Sequence, residues 1–196
     1  MRKTCISQNW LLNAPGTNGW KPVDLPNDYI ITLPRDRNAM GGPANGFFVD
    51  GDGIYVKYMD FDNSVPHRIL DIDGSYMCSS IRLNGVQLVM HPHGYTPILV
   101  DLTDRIWYGE TNKIEIHTRG FQPSTRWYSG AGIYRDVFLW EGGDIRVEPW
   151  DLFVTTPDLQ TVRAAYEISA DRDDRIRLRA EIIDEDGKIV SSLTMN

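Results

Sequence analysis

Two cysteines in 196 residues, Cys5 and Cys78, are too few and too far apart for a disulfide framework, and they read as free thiols. Basic charge is scarce as well. Lys and Arg number 20 against 27 Asp and Glu, and the net charge of -7 excludes nucleic acid, whose phosphates need a basic face. No apolar run is long enough to span a bilayer, and Met1-Arg2-Lys3 leads into Thr4-Cys5-Ile6-Ser7-Gln8-Asn9, not into the apolar core of a signal peptide. The chain therefore reads as soluble and cytoplasmic, with no membrane partner. An alternation of strands and helices is missing too, which excludes a TIM barrel from these residues. Asp50 and Asp52 lack the spacing and the closing Glu of an EF-hand loop.

What is present is β pattern. With 41% hydrophobic content the chain can bury one core and hold one domain, or one plus part of another. Lys113 to Thr118 alternates, with Ile114, Ile116 and Thr118 opposite Lys113, Glu115 and His117, as in a half-buried antiparallel strand. Asn84-Gly85 is the pair that favours a two-residue type I′ hairpin. In that register Leu83 faces Val86 and Ile81 faces Leu88. Ile54 to Phe61, Arg68 to Ile72, Ile98 to Val100 and Ile145 to Trp150 read as further strands. Pro22, Pro26 and Pro34 forbid a helix near the start and predict an extended arm. Residues 34–53 form the longest stretch without periodicity, and loops of that length are usually functional. Its Asp50 and Asp52 suit sugar hydroxyls or a cation, or simply an acidic turn that caps a strand. His91 and His93 flank Pro92 with no third ligand nearby, so a hydrogen-bonded turn is expected and no metal site is assigned.

The stretch from Ser124 to Trp140, STRWYSGAGIYRDVFLW, organises the rest. Gly130 and Gly132 let the chain turn sharply, presenting Arg126, Trp127 and Tyr128 at the mouth of a sheet, while Ile133 to Trp140 carries large side chains on both faces. Arg126-Trp127-Tyr128-Ser129-Gly130-Ala131-Gly132-Ile133-Tyr134-Arg135 resembles the signature that closes the first β-sandwich of glycoside hydrolase family 2, the family of β-galactosidases, β-glucuronidases and β-mannosidases. Further pieces follow the same order: Val23-Asp24-Leu25-Pro26-Asn27-Asp28-Tyr29, Gly53-Ile54-Tyr55, Arg82-Leu83-Asn84-Gly85, His93-Gly94-Tyr95-Thr96-Pro97, Asp101-Leu102-Thr103 and Asn112-Lys113-Ile114. Around Asp28 the family usually carries His before and Trp after; this chain has Asn27 and Tyr29.

The resemblance implies an all-β chain: a galactose-binding-like jelly-roll β-sandwich over residues 1–145, then the first strands of an incomplete immunoglobulin-like sandwich over 146–196. In the family a complete second sandwich and a TIM barrel follow, so the chain resembles the N-terminal region of a longer β-galactosidase-type enzyme. Both catalytic glutamates of such an enzyme lie on the barrel. Hence no catalytic residue is assigned here, the chain alone is expected to be inactive, and Glu115, Glu148, Glu167 and Glu181 read as surface charge. The implied partners are a β-galactoside-like carbohydrate and that missing barrel. No cofactor is implied, although a cation in the parent's sugar site is compatible with the resemblance.

Candidate sugar contacts are Arg126, Trp127 and Tyr128, with Asp50 beside them. An aromatic ring packs on the apolar face of a pyranose, and Arg offers a planar fork of donors to its hydroxyls. The alternative for Trp127 and Tyr128 is an interdomain contact, and Arg135 with Asp136 reads as a structural ion pair. Two rival roles stay open: a free-standing carbohydrate-binding module, and a scaffold that touches no sugar. In the tail, alternation over Val162 to Ile168 and Ile176 to Ile182 starts a sandwich that needs about seven strands to close. The unpaired edges and apolar face predict self-association through residues 162–193.

Overall fold

The computed structural model describes residues 1–120 and 130–195. The chain is all-β and forms two compact units, Met1–Gly143 and Asp144–Asn196. In the first unit the strands are β1 (Arg2–Cys5), β2 (Trp10–Asn13), β3 (Lys21–Val23), β4 (Asn27–Asp28), β5 (Gly51–Asp60), β6 (His67–Ile72), β7 (Ser79–Leu83), β8 (Val86–His91), β9 (Ile98–Asp101), β10 (Thr111–Gly120), β11 (Gly132–Ile133) and β12 (Val137–Gly142). Four of them make one antiparallel sheet in the order β1-β12-β6-β9, and six make the other, β3-β2-β5-β10-β7-β8. The two sheets face each other as a jelly-roll sandwich. A short ribbon of β4 with β11 lies apart from both.

Alternation decides which side chains fill the space between the sheets. On β10, Ile114, Ile116 and Thr118 are buried while Lys113, Glu115 and His117 are half-exposed, the period-2 pattern read from the sequence. Leu70 and Ile72 of β6, Val137 and Leu139 of β12, Ile81 and Leu83 of β7 and Tyr55 of β5 complete the layer, with Trp10 at 0% exposure. Burying each such side chain contributes on the order of 1.5–3 kcal/mol. The extended arm predicted at the prolines is β3, and Pro22 is tolerated there because β3 is an edge strand.

The hairpin at Asn84-Gly85 has φ of +53° and +81° at its two central residues, as a type I′ turn requires. Leu83 pairs with Val86, but Ile81 pairs with Val89 and not with Leu88, because the register shifts between Ile81 and Arg82. A bulge of this kind disrupts an edge ladder and discourages a further strand from adding. Asn84 also ties the hairpin to β10: its Oδ1 accepts from the Lys113 N–H at 2.9 Å, and its Nδ2 donates to Asn112 Oδ1 at 2.8 Å. The stretch read as aperiodic contains a 3-10 turn, Gly42–Asn45, and Arg35 stacks its guanidinium over the Phe48 ring.

One end of the sandwich is closed by a buried cation. Arg68 is 1% exposed; its Nη1 donates to Val65 O at 2.7 Å, its Nη2 to Asp62 O at 2.8 Å and its Nε to Glu141 Oε1 at 3.3 Å. Glu141 in turn accepts from Arg2 at 2.7 Å, so one carboxylate clamps β1, β12 and β6 in register. The expected Arg135–Asp136 pair does not form. Arg135 reaches Asp73 at 4.0 Å and Asp136 accepts from Ser7 Oγ at 2.9 Å, since the chain bends at Arg135 and each side chain finds a partner remote in sequence.

The second unit has β13 (Ile145–Arg146), β14 (Leu152–Thr155), β15 (Arg163–Tyr166), β16 (Ser169–Ala170), β17 (Leu178–Ile183) and β18 (Ile189–Met195). They pair as three antiparallel ribbons, β13 with β16, β14 with β15 and β17 with β18. The strand expected over Ile145 to Trp150 ends at Arg146, whose guanidinium is held by Glu148 at 2.6 Å and Asp171 at 3.1 Å.

Arg68→Ala removes the donor to the Val65 and Asp62 carbonyls and leaves Glu141 with Arg2 alone. Urea unfolding of the first unit should show a loss of about 3–5 kcal/mol. Arg135→Ala removes a long, exposed pair and should stay within about 0.5 kcal/mol. Equal losses for the two variants would contradict this account of the closed end.

Candidate functional site

At the opposite end of the sandwich, loops and strand ends converge on Gly132. Its N–H donates to Tyr76 O and its carbonyl accepts from the Tyr76 N–H, both at 2.9 Å, while β11 pairs Gly132 with Asp28. Gly132 has φ +139°, and a Cβ there would run into the Asn27 carbonyl and the Tyr55 hydroxyl. Only glycine fits this backbone. Asp28 Oδ1 accepts from the N–H groups of Ile30 at 2.8 Å, Ile31 at 3.0 Å and Ala131 at 3.3 Å, and so fixes the turn on both sides. The family-atypical neighbours are employed too. Tyr55 hydroxyl lies 2.8 Å from Asn27 Oδ1, and the Tyr29 hydroxyl lies 3.1 Å from Gly51 O and 3.3 Å from Thr118 O.

Beside this knot opens a shallow cavity of about 390 Å³ lined by Tyr76, Met77, Pro92, His93, Gly94 and Tyr95. The buried Tyr76 ring meets the exposed Tyr95 ring edge-on, with centroids 5.5 Å apart and planes at 60°. Gly94 lets the loop pass over Tyr76, because a Cβ at that position would enter the ring. Tyr134 hydroxyl donates to Gly94 O at 2.7 Å and holds the loop down; burial pushes that hydroxyl's pKa up, with Arg135 pulling it back. His93 and Tyr95 are left exposed at the rim, an aromatic surface next to a hydrogen-bonding ring. His91 Nε2 lies 2.8 Å from Thr96 Oγ1, so the turn expected there is hydrogen-bonded.

Arg126, Trp127 and Tyr128 lie outside the described residues. The described residues do fix where that segment begins and ends. Gly120 pairs with Gly51 at the end of β10, and Arg119 N–H donates to Met77 O at 2.9 Å. Asp50 is exposed immediately before Gly51, so it stands at the same sheet end. Asp52 is engaged with Arg119 at 3.6 Å. Asp50 and the cavity are thus brought to one end of the sandwich. Three of the glutamates read as surface charge are ion-paired. Glu115 is paired with Lys113 at 2.8 Å and Glu148 with Arg146 at 2.6 Å, both half-buried, and the exposed Glu181 with Arg179 at 2.5 Å.

Tyr76, Met77 and Tyr134 escaped the sequence reading as site residues. Only His93-Gly94-Tyr95 carried a signal, as part of a motif, and nothing in spacing places Tyr76 against Tyr95.

No family model matches the chain. Over 183 residues it is 31% identical to β-galactosidase BoGH2A of Bacteroides ovatus, which covers 89% of this chain and 22% of that protein. A glycosyl hydrolase family 2 member from Bacteroides cellulosilyticus superposes with a TM-score of 0.89 at 26% identity, over 100% of this chain and 28% of that one. β-Glucuronidase 2 of Bacteroides uniformis shares the fold at a TM-score of 0.75 and 19% identity, over 99% of this chain and 25% of its own. The chain thus spans between about a fifth and three tenths of the length of these relatives.

Gly132→Ala should cost about 3 kcal/mol or more in a urea titration, since neither the backbone angle nor the space permits a methyl. Alkaline pH should act through Tyr29, whose hydroxyl is pushed far above its ordinary pKa by burial, with Asp52 and Asp28 adding to the rise. The neutral phenol is favoured in the folded state, so its contribution is complete below about pH 10 and is lost as pH rises beyond that, toward the folded pKa. Tyr29→Phe should therefore flatten the alkaline limb of a Tm–pH profile; an unchanged limb would assign the alkaline loss to other groups.

Proposed function

Proceeding from a chain that matches the N-terminal β-sandwich region of family 2 glycoside hydrolases, we propose that it walls one side of the sugar site in a retaining β-glycosidase acting on terminal β-galactosides. What supports this reading is the convergence at one sheet end. The aromatic and histidine rim of the cavity, exposed Asp50 and the two attachment points of residues 121–129 all lie there. In this role Trp127, Tyr128 and Tyr95 supply ring faces for a pyranose, and Arg126, His93 and Asp50 address its hydroxyls. Retention at the anomeric carbon needs two carboxyl groups roughly 5–5.5 Å apart, and these come from a barrel in the remainder of the parent enzyme. The choice of galactoside rests on the β-galactosidase relative at 31% identity.

The second unit is proposed as the beginning of an immunoglobulin-like sandwich. Its ribbons leave Ile182, Ile183, Ile189, Val190 and Leu193 exposed, and a two-stranded ribbon is marginal in water without cover. We propose that residues 162–193 of this chain, taken alone, associate with a second copy. Sedimentation velocity should show a dimer that dissociates in Val190→Lys/Leu193→Lys; a monomer at high concentration would remove this part of the reading.

For the wall role, the parent enzyme should hydrolyse a nitrophenyl β-galactoside faster than the β-glucuronide or β-mannoside. Trp127→Ala and His93→Ala should each lower kcat/KM roughly tenfold without changing the urea midpoint. Unchanged kcat/KM in both variants would leave a scaffold. Galactose binding by the 196-residue chain itself, lost in Trp127→Ala, would favour a free-standing module.

A further inference from the structure

On the outer face of the four-stranded sheet, register aligns Cys5, Phe138, Asp71 and Leu99 in one row and Lys3, Trp140, Ile69 and Asp101 in the next. An antiparallel sheet with one face on the core ordinarily turns a polar face outward. Here two aromatic rings surround a carboxylate. Asp71 is 0% exposed although it points away from the core. Its Oδ2 accepts from Trp140 Nε1 at 2.9 Å and lies 3.3 Å from Lys3 Nζ. Its Oδ1 has no hydrogen-bond partner among the described residues. The same ammonium stands 3.8 Å from the centroid of the Phe138 ring and 5.0 Å from that of Trp140.

A carboxylate and two π faces around one ammonium make an aromatic cation cage. Lys3 reaches it from β1, an edge strand with all four residues exposed, and its side chain remains 36% exposed. The cage is therefore filled from its solvent side by a tethered group. That tether brings the ammonium to Oδ2 and leaves Oδ1 unused, an unsatisfied acceptor of the kind that costs stability when buried. A free alkylammonium has three N–H donors and no tether, so it can address both oxygens.

We propose that Asp71, Phe138 and Trp140 form a binding site for primary alkylammonium groups, of which Lys3 is the built-in occupant. Ligand enters when Lys3 is withdrawn with its edge strand or removed by substitution.

The 196-residue chain and its Lys3→Ala variant are titrated with ethylammonium chloride, using sodium chloride at equal ionic strength as the control and following Trp fluorescence and Tm. Lys3→Ala should lower Tm and then recover it saturably with ethylammonium, binding about tenfold more tightly than the unsubstituted chain. Lys3→Ala/Asp71→Asn should show no recovery. If that double variant does not fold, Lys3→Ala/Phe138→Leu decides instead, because it keeps the carboxylate and should bind several-fold more weakly through loss of one ring. A response of Lys3→Ala to ethylammonium no greater than to sodium overturns the proposal, as does equal binding with and without the Phe138 ring.

Discussion

The absence of a side chain at Gly132 is the constraint on which the candidate-site end of the sandwich depends. Through that single backbone unit the chain pairs with Asp28 on one side and Tyr76 on the other, while the Tyr55 hydroxyl closes over it. Each contact belongs to a different part of the fold: the ribbon of β4 with β11, the lead-in to β7, and the inner layer of β5. A methyl group would therefore do more than strain one residue. It would push apart three elements that meet at this close approach. Asp28 reinforces the arrangement by accepting the N–H of Ile30 just after β4 and that of Ala131 just before β11, which are charge-assisted hydrogen bonds and among the stronger kind.

The two ends of the sandwich are built on opposite physics. At the Arg68 end, a fully buried guanidinium is surrounded by acceptors, and the result is rigid because losing any one partner exposes a charge to an apolar interior. At the Gly132 end, closure comes from backbone hydrogen bonds and glycines, which leaves the side chains of His93, Tyr95 and Asp50 pointing to solvent. That asymmetry follows from the sequence, since prolines and glycines concentrate in the loops that meet there.

Much of the fold was legible because it depends on period and on turn chemistry. β10 reads directly from Ile114, Ile116 and Thr118, and the Asn84-Gly85 hairpin from the positive φ that both residues tolerate. Register one step further was not legible. The bulge that moves Val89 opposite Ile81 leaves no mark in the residue pattern, because Leu88 and Val89 are equally apolar. Ion pairs failed for a related reason: Arg135 beside Asp136 looks like a pair in one dimension, whereas in the fold Arg135 meets Asp73 and Asp136 meets Ser7, both remote in sequence. The site was legible only as motifs. That His93-Gly94-Tyr95 and Tyr76 make one cavity depends on contacts between distant loops, and sequence spacing carries no record of those.

The chemistry available at this end also limits what the sandwich contributes. Its cavity is shallow and mostly apolar, rimmed by the exposed His93 and Tyr95, and the Tyr134 hydroxyl beside it already donates to the Gly94 carbonyl. Asp50 is a single exposed carboxylate, whereas hydrolysis with retention requires two carboxyl groups with opposed protonation, held at a fixed separation. Rings and hydroxyl-binding groups, by contrast, need only shape and exposure to hold a pyranose. In the proposed role this end therefore offers rings and exposed polar groups that could hold one face of a sugar, and the pair of carboxyl groups is proposed to come from elsewhere in the parent enzyme.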